Sequence, residues 1–328
     1  MGNMTNTVET SGAMPVAPGV SHPVGRRRED RIIGSTPALK AAIEQATSAA
    51  RTELPVIIAG PFGSGKNLFA RAIHAWSGRA SGPFQVISCD ALPEALHARE
   101  LFGCAAGVHS LLPADYEGVL ARAAGGTAVL AQLDRLRPEA YAALAKAISE
   151  KSFPREGETT RTPLRARVVV MVETDANELL RDLPHHTIVL PPLAERSEDV
   201  LSLAAHFLHS FAQEAGVSPG GFTPETRESL LAEPWPGNVT ELRERIRLAL
   251  KIAGSDPISP EILLLATDGS GVPSFKEAKR AFETRYVSGL LRRCRGNISR
   301  AARLAKKDRK DFYDVIRRTG IDPTQFRS

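Results

Sequence analysis

The sequence predicts an α/β domain built on a parallel sheet, then a helical region, then a small all-α module at the C-terminal end. Three observations support this order. Short apolar runs alternate with helical stretches as far as residue 194, a glycine-rich loop follows the first run, and positive charge is concentrated beyond residue 274. At about 150 residues a domain, a chain of 328 residues is long enough for two domains and a small third.

Composition divides the chain into five segments. Residues 1–30 contain no aromatic residue and are rich in Gly, Pro, Thr and Ser, so we predict a disordered tail. Residues 31–194 are predicted to form the α/β domain, and residues 195–266 a region of helices alone. Residues 267–274 are predicted to be a linker, which leaves 275–328 as the C-terminal module.

The α/β prediction depends on continuous apolar runs, which are typical of parallel strands covered on both faces. Helical stretches at 66–76 and 138–150 lie between several of the runs. The runs predicted as strands are Val56-Ile57-Ile58 within 55–59, Phe84-Gln85-Val86-Ile87, Ala128-Val129-Leu130, Val168-Val169-Val170-Met171-Val172 and Ile188-Val189-Leu190.

Several classes of protein are excluded by what the sequence lacks. No apolar run reaches the roughly 18 residues of a membrane helix, and no secretory signal is recognisable at the N-terminus. The cysteines Cys89, Cys104 and Cys294 are far apart, so their spacing fits neither a disulfide framework nor a metal site. We therefore expect a cytoplasmic protein without a membrane partner or a metal centre.

Charge is distributed unevenly along the chain. Residues 275–328 hold 16 basic and 6 acidic residues, whereas the other 274 residues hold 26 basic and 31 acidic. A basic module joined to an acidic body is typical of nucleic-acid binding. The alternative is a charged helix face that is merely solvated.

The glycine-rich loop at 60–66, Gly-Pro-Phe-Gly-Ser-Gly-Lys, lies between the predicted strand 55–59 and the predicted helix 66–76. Glycines allow successive N–H groups to point at phosphates, the helix N-terminus adds its dipole, and the lysine reaches the β- and γ-phosphates. The loop predicts binding of ATP or ADP. Asn67 replaces the Ser or Thr that normally holds Mg²⁺, which argues against magnesium binding. The candidate nucleotide-binding residues are Gly60, Gly63, Ser64, Gly65, Lys66 and Asn67.

The C-terminal module has helix-turn-helix spacing. A long helix is predicted over 275–294, Gly296-Asn297 interrupts it, and shorter helices are predicted over 299–305 and 309–319. We expect a double-stranded DNA partner, with a purely structural helical hairpin as the alternative. The side chains predicted to enter the major groove are Arg309, Lys310, Tyr313 and Arg317. Those predicted to contact phosphates are Arg300, Arg303, Lys306 and Arg318.

The chain resembles the NtrC-type bacterial enhancer-binding proteins, which activate sigma-54 RNA polymerase. The resemblance covers residues 32–328, without a receiver domain, and its C-terminal part resembles a Fis-type helix-turn-helix module. It rests on Ile32-Ile33-Gly34-Ser35, the loop 60–66, Ala91-Leu92-Pro93, Glu100-Leu101-Phe102-Gly103, Gly125-Gly126-Thr127, Pro191-Pro192-Leu193 and Trp235-Pro236-Gly237-Asn238-Val239. It implies an AAA+ P-loop domain at 31–194, a helical lid at 195–266, and self-association as a dimer or larger assembly.

The resemblance fails at the residues that hydrolyse ATP. In the family, Gly-Gly-Thr opens a strand that ends in Asp-Glu, where Asp orients magnesium and Glu polarises water. Here that strand ends in Ala131-Gln132. Asp134 is not expected to substitute for this pair, because on an extended strand it lies about 6.6 Å further along.

Other family positions also differ. The loop that contacts sigma-54 in the family, Gly-Ala-Phe-Thr-Gly-Ala, corresponds to Gly-Val-His-Ser-Leu-Leu at 107–112. The sensor-2 arginine corresponds to Thr240, and the sensor-1 asparagine to Glu173. Of two expected arginine fingers, Arg181 is retained.

These differences favour a DNA-binding transcriptional regulator with a hydrolysis-deficient AAA+ core that does not remodel sigma-54 polymerase. Two alternatives stay open. One is an active ATP-dependent sigma-54 activator with unusual catalytic residues, and the other is an inhibitory partner of an active AAA+ paralogue.

Overall fold

A computed structural model describes residues 21–23, 31–108, 114–173, 183–266 and 275–326. The chain divides into two compact units, Met1–Ala266 and Thr267–Ser328, which are treated separately below. The predicted linker at 267–274 and most of the predicted tail at 1–30 lie outside the described residues.

The first unit is built on a five-stranded sheet in the order β11-β3-β10-β7-β4, and every neighbouring pair is parallel. The predicted parallel sheet is therefore confirmed, with bounds within two residues of those expected. The strands of this sheet are β3 (Val56–Ala59), β4 (Phe84–Ser88), β7 (Thr127–Ala131), β10 (Arg167–Val172) and β11 (His186–Val189).

Helices cover both faces of the sheet, which is why the three central strands, β3, β10 and β7, are largely apolar and buried. Along β10, Val168 and Val170 pack with one set of helices, whereas Val169 and Met171 pack with the other. The helices of the α/β part are α1 (Pro37–Ala50), α2 (Lys66–Trp76), α3 (His97–Phe102), α4 (Val119–Arg122) and α5 (Pro138–Glu150).

Three short antiparallel pairs accompany the main sheet. The pairs are β1 (Ser21–Pro23) with β2 (Arg31–Ile33), β5 (Gly103–Cys104) with β6 (Tyr116–Glu117), and β8 (Ser152–Pro154) with β9 (Arg161–Pro163). In the first pair, β1 falls within the stretch 1–30 for which the sequence predicts a disordered tail. Residues 21–23 pair in register with β2, with Ser21 opposite Ile33 and Pro23 opposite Arg31.

The lid at 195–266 contains helices and one isolated bridge between Phe222 and Ile258. The predicted helical lid is confirmed, and Trp235 lies in its core with 2% of its surface exposed. The indole Nε1 of Trp235 donates to the carbonyl of Leu230 at 2.9 Å. The lid helices are α6 (Val200–Ala215), α7 (Pro224–Ala232), α8 (Asn238–Ala253) and α9 (Pro260–Leu265).

The described part of the second unit contains three α-helices around its own small core. These are α10 (Phe275–Arg293), α11 (Ile298–Leu304) and α12 (Arg309–Thr319). The Asn297 side chain accepts the Arg300 N–H at 3.0 Å and so caps the start of α11. The core is formed by Val287, Leu291, Cys294, Ala301, Ala302, Phe312 and Ile316. Among the helices in the described part of the whole chain, none is long and apolar enough to cross a membrane.

The turn between α11 and α12 contains a strained residue. Lys306 has φ 51°, and the N–H of Lys307 closes the turn on the carbonyl of Ala302 at 3.1 Å. A residue with a Cβ pays about 1–2 kcal/mol for this left-handed conformation, whereas glycine does not.

Replacing Lys306 by glycine is therefore expected to stabilise the second unit by about 1 kcal/mol, because the strain is removed. Calorimetry of the full chain, following the transition of this unit, measures the effect. Lys307→Gly is the matched control, since Lys307 lies in the same exposed turn without a positive φ. Equal destabilisation by both substitutions would contradict the prediction.

Candidate functional site

The phosphate loop at 60–66 lies at the carboxyl edge of the sheet, between β3 and the start of α2. The N–H of Gly60 donates to the carbonyl of Val172 at the end of β10, at 3.2 Å. Gly65 precedes the first residue of α2 and has φ 106°. The loop therefore occupies the position, after a strand and before a helix, where an anion gains from free N–H groups and the helix dipole.

Close backbone contacts explain two of the glycines. A Cβ on Gly60 would lie 2.7 Å from the carbonyl oxygen of Leu190. A Cβ on Gly63 would lie 2.2 Å from the carbonyl oxygen of Gly237, which belongs to the lid. Larger side chains at these positions would displace the loop from the neighbouring backbone.

The side chain of Lys66 bonds its own loop in this structure. Its Nζ donates to the carbonyls of Gly60 at 2.5 Å and Pro61 at 3.0 Å. Burial lowers the pKa of the Lys66 ammonium, and the nearby carboxylates of Glu173 and Asp134 oppose that shift. Lys66 is thus the cation at the loop, held by carbonyls that it can exchange for phosphate oxygens.

A cavity of about 620 Å³ opens beside the loop, between the sheet edge and the lid. Gly60 is not among its lining residues, but the other five candidate nucleotide-binding residues line it: Gly63, Ser64, Gly65, Lys66 and Asn67. Apolar side chains of β2 and α6 line it as well, including Ile33, Leu203 and Phe207. The Ser64 hydroxyl is buried and has no hydrogen-bond partner among the described residues. This mixture of free donors and apolar walls fits a nucleotide.

The positions of the missing acidic pair lie at the same edge. Ala131 ends β7, and Gln132 follows with φ 48° and ψ 53°. The Ser88 hydroxyl, at the end of the neighbouring β4, lies 2.8 Å from Oε1 of Gln132. Neither side chain carries a carboxylate, so these two residues and Asn67 do not make the donor set that Mg²⁺ prefers.

The position of Asp134 differs from the extended-strand prediction. The left-handed backbone at Gln132 ends the strand, and residues Leu133–Arg135 form a 3₁₀ turn. Asp134 therefore does not lie 6.6 Å further along β7, and its carboxylate is near enough to influence Lys66. Its oxygen pairs with Arg135 at 3.7 Å.

Other family positions are accounted for only in part. Arg181 and residues 109–112 lie outside the described residues. Thr240 and Glu173 both line the cavity. Sequence reasoning missed Arg243, which also lines the cavity and stacks over Phe211 with 5.7 Å to the ring centroid. The signal was its spacing, since residues three apart share a helix face.

The lid contacts the loop directly, which sequence reasoning also missed. The Asn238 Nδ2 donates to the carbonyl of Phe62 at 2.7 Å. The Arg196 guanidinium, 4% exposed, donates to the carbonyl of Ser64 at 2.9 Å. Burial lowers the pKa of Arg196, and the Asp199 carboxylate opposes the shift.

The predicted DNA-contacting side chains are all exposed in the second unit. On α12 these are Arg309, Lys310, Tyr313 and Arg317, with Tyr313 55% exposed. Arg300, Arg303 and Lys306 precede that helix and are exposed as well. Arg318 is exposed but bonds Glu283 of α10 at 2.7 Å, so it is the least available of the predicted phosphate contacts. Asp311 and Asp314 are the exposed acidic residues on α12.

Within the described ranges, no group of three or more His, Cys, Asp or Glu residues is arranged to hold a metal ion.

Comparison with known proteins matches the first part of the chain to two family models. Residues 32–185 match the sigma-54 interaction domain, and residues 194–277 match the AAA+ ATPase lid domain. The chain is 31% identical over 313 residues to the transcriptional regulatory protein GlrR of Escherichia coli, covering 92% of this chain and 70% of that protein. It is 32% identical over 303 residues to the transcriptional activator RocR of Bacillus subtilis, covering 83% and 65%.

The chain also resembles a solved structure. The structure of NtrX from Brucella abortus in complex with ADP matches with a TM-score of 0.66 and 26% identity, covering 89% of this chain and 71% of that chain. The chain belongs to the sigma-54-dependent transcriptional regulators, with a sigma-54 interaction AAA+ domain followed by an AAA+ lid.

Proposed function

We propose that this chain is a DNA-binding transcriptional regulator whose AAA+ core binds ATP or ADP without productive hydrolysis. One observation carries the proposal. The edge of the sheet keeps the phosphate loop and Lys66, but Ala131 and Gln132 stand where the family has its acidic pair.

The chemistry of phosphoryl transfer explains why these residues matter. The reaction needs a metal to neutralise developing charge and a residue to orient the attacking water. Alanine has no ligand atom, and the neutral amide of Gln132, held by Ser88 at 2.8 Å, cannot accept a proton from water. Thr240 stands where the family has its sensor-2 arginine, so the positive charge of that arginine is absent from this position. Arg243 lies one turn further along the same helix. Arg181 is proposed as a residual arginine finger.

Nucleotide binding is supported separately from hydrolysis. The loop, the helix start and the free Ser64 hydroxyl form an anion cradle, and Lys66 can leave its two carbonyl partners for phosphate oxygens. The related NtrX has been solved with ADP and with ATP. Titration of the full chain with each nucleotide at up to millimolar concentration tests this part, and Lys66→Ala is the control that should not bind. If neither nucleotide binds the unmodified chain, the loop has only a structural role.

DNA binding is supported by the second unit. Six of its predicted DNA-contacting cations, all but the ion-paired Arg318, are exposed together with Tyr313 around α11 and α12, and the two helices have helix-turn-helix spacing. The helix-turn-helix module is proposed to be of the Fis type, with α10 supporting a dimer. Self-association of the AAA+ core and contact with RNA polymerase follow from the family.

The chain alone is expected not to form open complexes at a sigma-54 promoter, because 107–112 lack the Phe, the Thr and the second Gly of the family loop. Permanganate footprinting of the promoter, with an active family member as positive control, measures this. Replacing 107–112 by Gly-Ala-Phe-Thr-Gly-Ala should not restore activity while Ala131 and Gln132 are unchanged. Open complexes formed by the unmodified chain would instead support the active-activator alternative.

A further inference from the structure

Three consecutive carbonyls of the phosphate loop accept hydrogen bonds from the lid. Asn238 Nδ2 bonds the carbonyl of Phe62 at 2.7 Å, and the N–H of Val239 bonds that of Gly63 at 3.0 Å. Arg196 Nη2 bonds the carbonyl of Ser64 at 2.9 Å. The outer side of the loop is thus bonded to the lid.

The burial, backbone conformation and hydrogen bonds of Asn238 fix its side chain at this contact. It is 3% exposed and has φ 54°, a left-handed conformation that turns the chain at the start of α8. Its Oδ1 accepts the N–H of Leu193 at 2.7 Å while its Nδ2 donates to Phe62. One amide side chain therefore joins the phosphate loop, the start of the lid and α8.

The segment that carries Arg196 is also held in place by hydrogen bonds. Residues Leu193–Asp199 form two short 3₁₀ turns separated by a kink at Arg196, which has φ −129° and ψ 46°. The Asp199 carboxylate accepts the N–H of Ser35 at 2.7 Å and the hydroxyl of Thr36 at 2.8 Å. The segment that holds the loop is itself held by the residues that precede α1.

Peptide geometry connects these bonds to the ligand side of the loop. In a planar trans peptide, the carbonyl of one residue and the N–H of the next point in opposite directions. Bonds from the lid to the carbonyls of Phe62 and Ser64 therefore orient the N–H groups of Gly63 and Gly65 away from the lid donors, and both glycines line the cavity. When such an N–H donates to a phosphate, polarisation of the peptide strengthens the bond at its carbonyl.

We infer that Asn238 and Arg196 are positioning residues that couple the lid to the phosphate loop, so that nucleotide binding changes the lid although Thr240 replaces the sensor-2 arginine. The inference rests on the proposed nucleotide binding. Because such coupling is reciprocal, a lid that cannot bond the loop binds nucleotide more weakly.

Asn238→Asp tests the coupling with minimal change of shape. The carboxylate keeps an acceptor for Leu193 but cannot donate to Phe62, whose carbonyl it repels. Trp76→Phe provides the background, because Trp235 is then the single tryptophan and lies three residues before Asn238. In that background ADP is expected to change the Trp235 emission. Adding Asn238→Asp should weaken ADP binding about tenfold and abolish the emission change.

Thr226→Val is the matched control for lid stability. The Thr226 hydroxyl is buried in the lid and bonds the carbonyl of Ile258 at 2.7 Å, without contact to the loop. This variant should lower the melting temperature but keep the ADP affinity and the emission change. If Asn238→Asp binds ADP as tightly as its parent, with the same emission change, the coupling is wrong while nucleotide binding stands. If the Trp76→Phe parent itself binds no ADP by calorimetry, both proposals fail.

Discussion

Phosphate release from ATP by the full chain is expected to equal that of its Lys66→Ala variant, at the background rate. Family enzymes have a magnesium ligand and a water-orienting carboxylate at the end of the strand that corresponds to β7. In this chain Ala131 and Gln132 occupy those two positions. Charge stabilisation of phosphoryl transfer is large, and one arginine finger alone is worth about 10³–10⁵ in rate. Losing the metal ligand, the carboxylate and the sensor-2 charge together leaves little of the rate enhancement.

A steady-state phosphate assay over a range of Mg²⁺ concentrations measures this. Ala131→Asp is the informative companion, because it adds a carboxylate at a buried position beside the loop. It is expected to make ATP binding depend on Mg²⁺, without restoring turnover while Gln132 is neutral. Magnesium-dependent turnover in the unmodified chain that disappears in Lys66→Ala would contradict the prediction and favour an active ATPase.

The main sheet could be predicted because its three central strands contain uninterrupted apolar runs covered on both faces. The short antiparallel pairs could not be predicted. Strands β8 and β9, for example, have three residues each, contain proline, and carry polar residues of the kinds that are common in turns. The left-handed backbone at Gln132 was also hidden, because neither periodicity nor composition encodes a positive φ at a residue other than glycine. Because of that turn, Asp134 does not lie at the position predicted for an extended strand.

The site was predictable where it is local in sequence. The phosphate loop, Lys66 and the replaced acidic pair are short motifs next to a strand, so the sequence places them. Asn238 bonds Phe62 across 176 positions, and Arg196 bonds Ser64 across 132. Contacts between residues so far apart depend on how the lid packs on the sheet edge, which no local pattern specifies.

DNA binding by the second unit is expected to depend differently on two arginines. Arg309 begins α12 and is exposed, so its side chain can enter the major groove and grip a guanine edge. Arg309→Ala should cost about 1–3 kcal/mol and relax the preference at one base position. Arg303 lies near the end of α11, where it is predicted to contact phosphate. Arg303→Ala should weaken all sequences alike and reduce the salt dependence by about one unit of slope.

The measurement is a titration of labelled operator and random duplex with the full chain at several salt concentrations, after the bound sites have been mapped genome-wide. Tight binding is expected only at two half-sites about 34 Å apart, because a single module makes few contacts and a dimer can read both. Lys251→Ala, an exposed cation of α8 in the first unit, is the control and should leave both duplexes unaffected. If the full chain binds neither duplex even at low salt, the regulator function is wrong. Co-purification with an active AAA+ paralogue would then identify the chain as an inhibitory partner, because its AAA+ core would be left with assembly as its function.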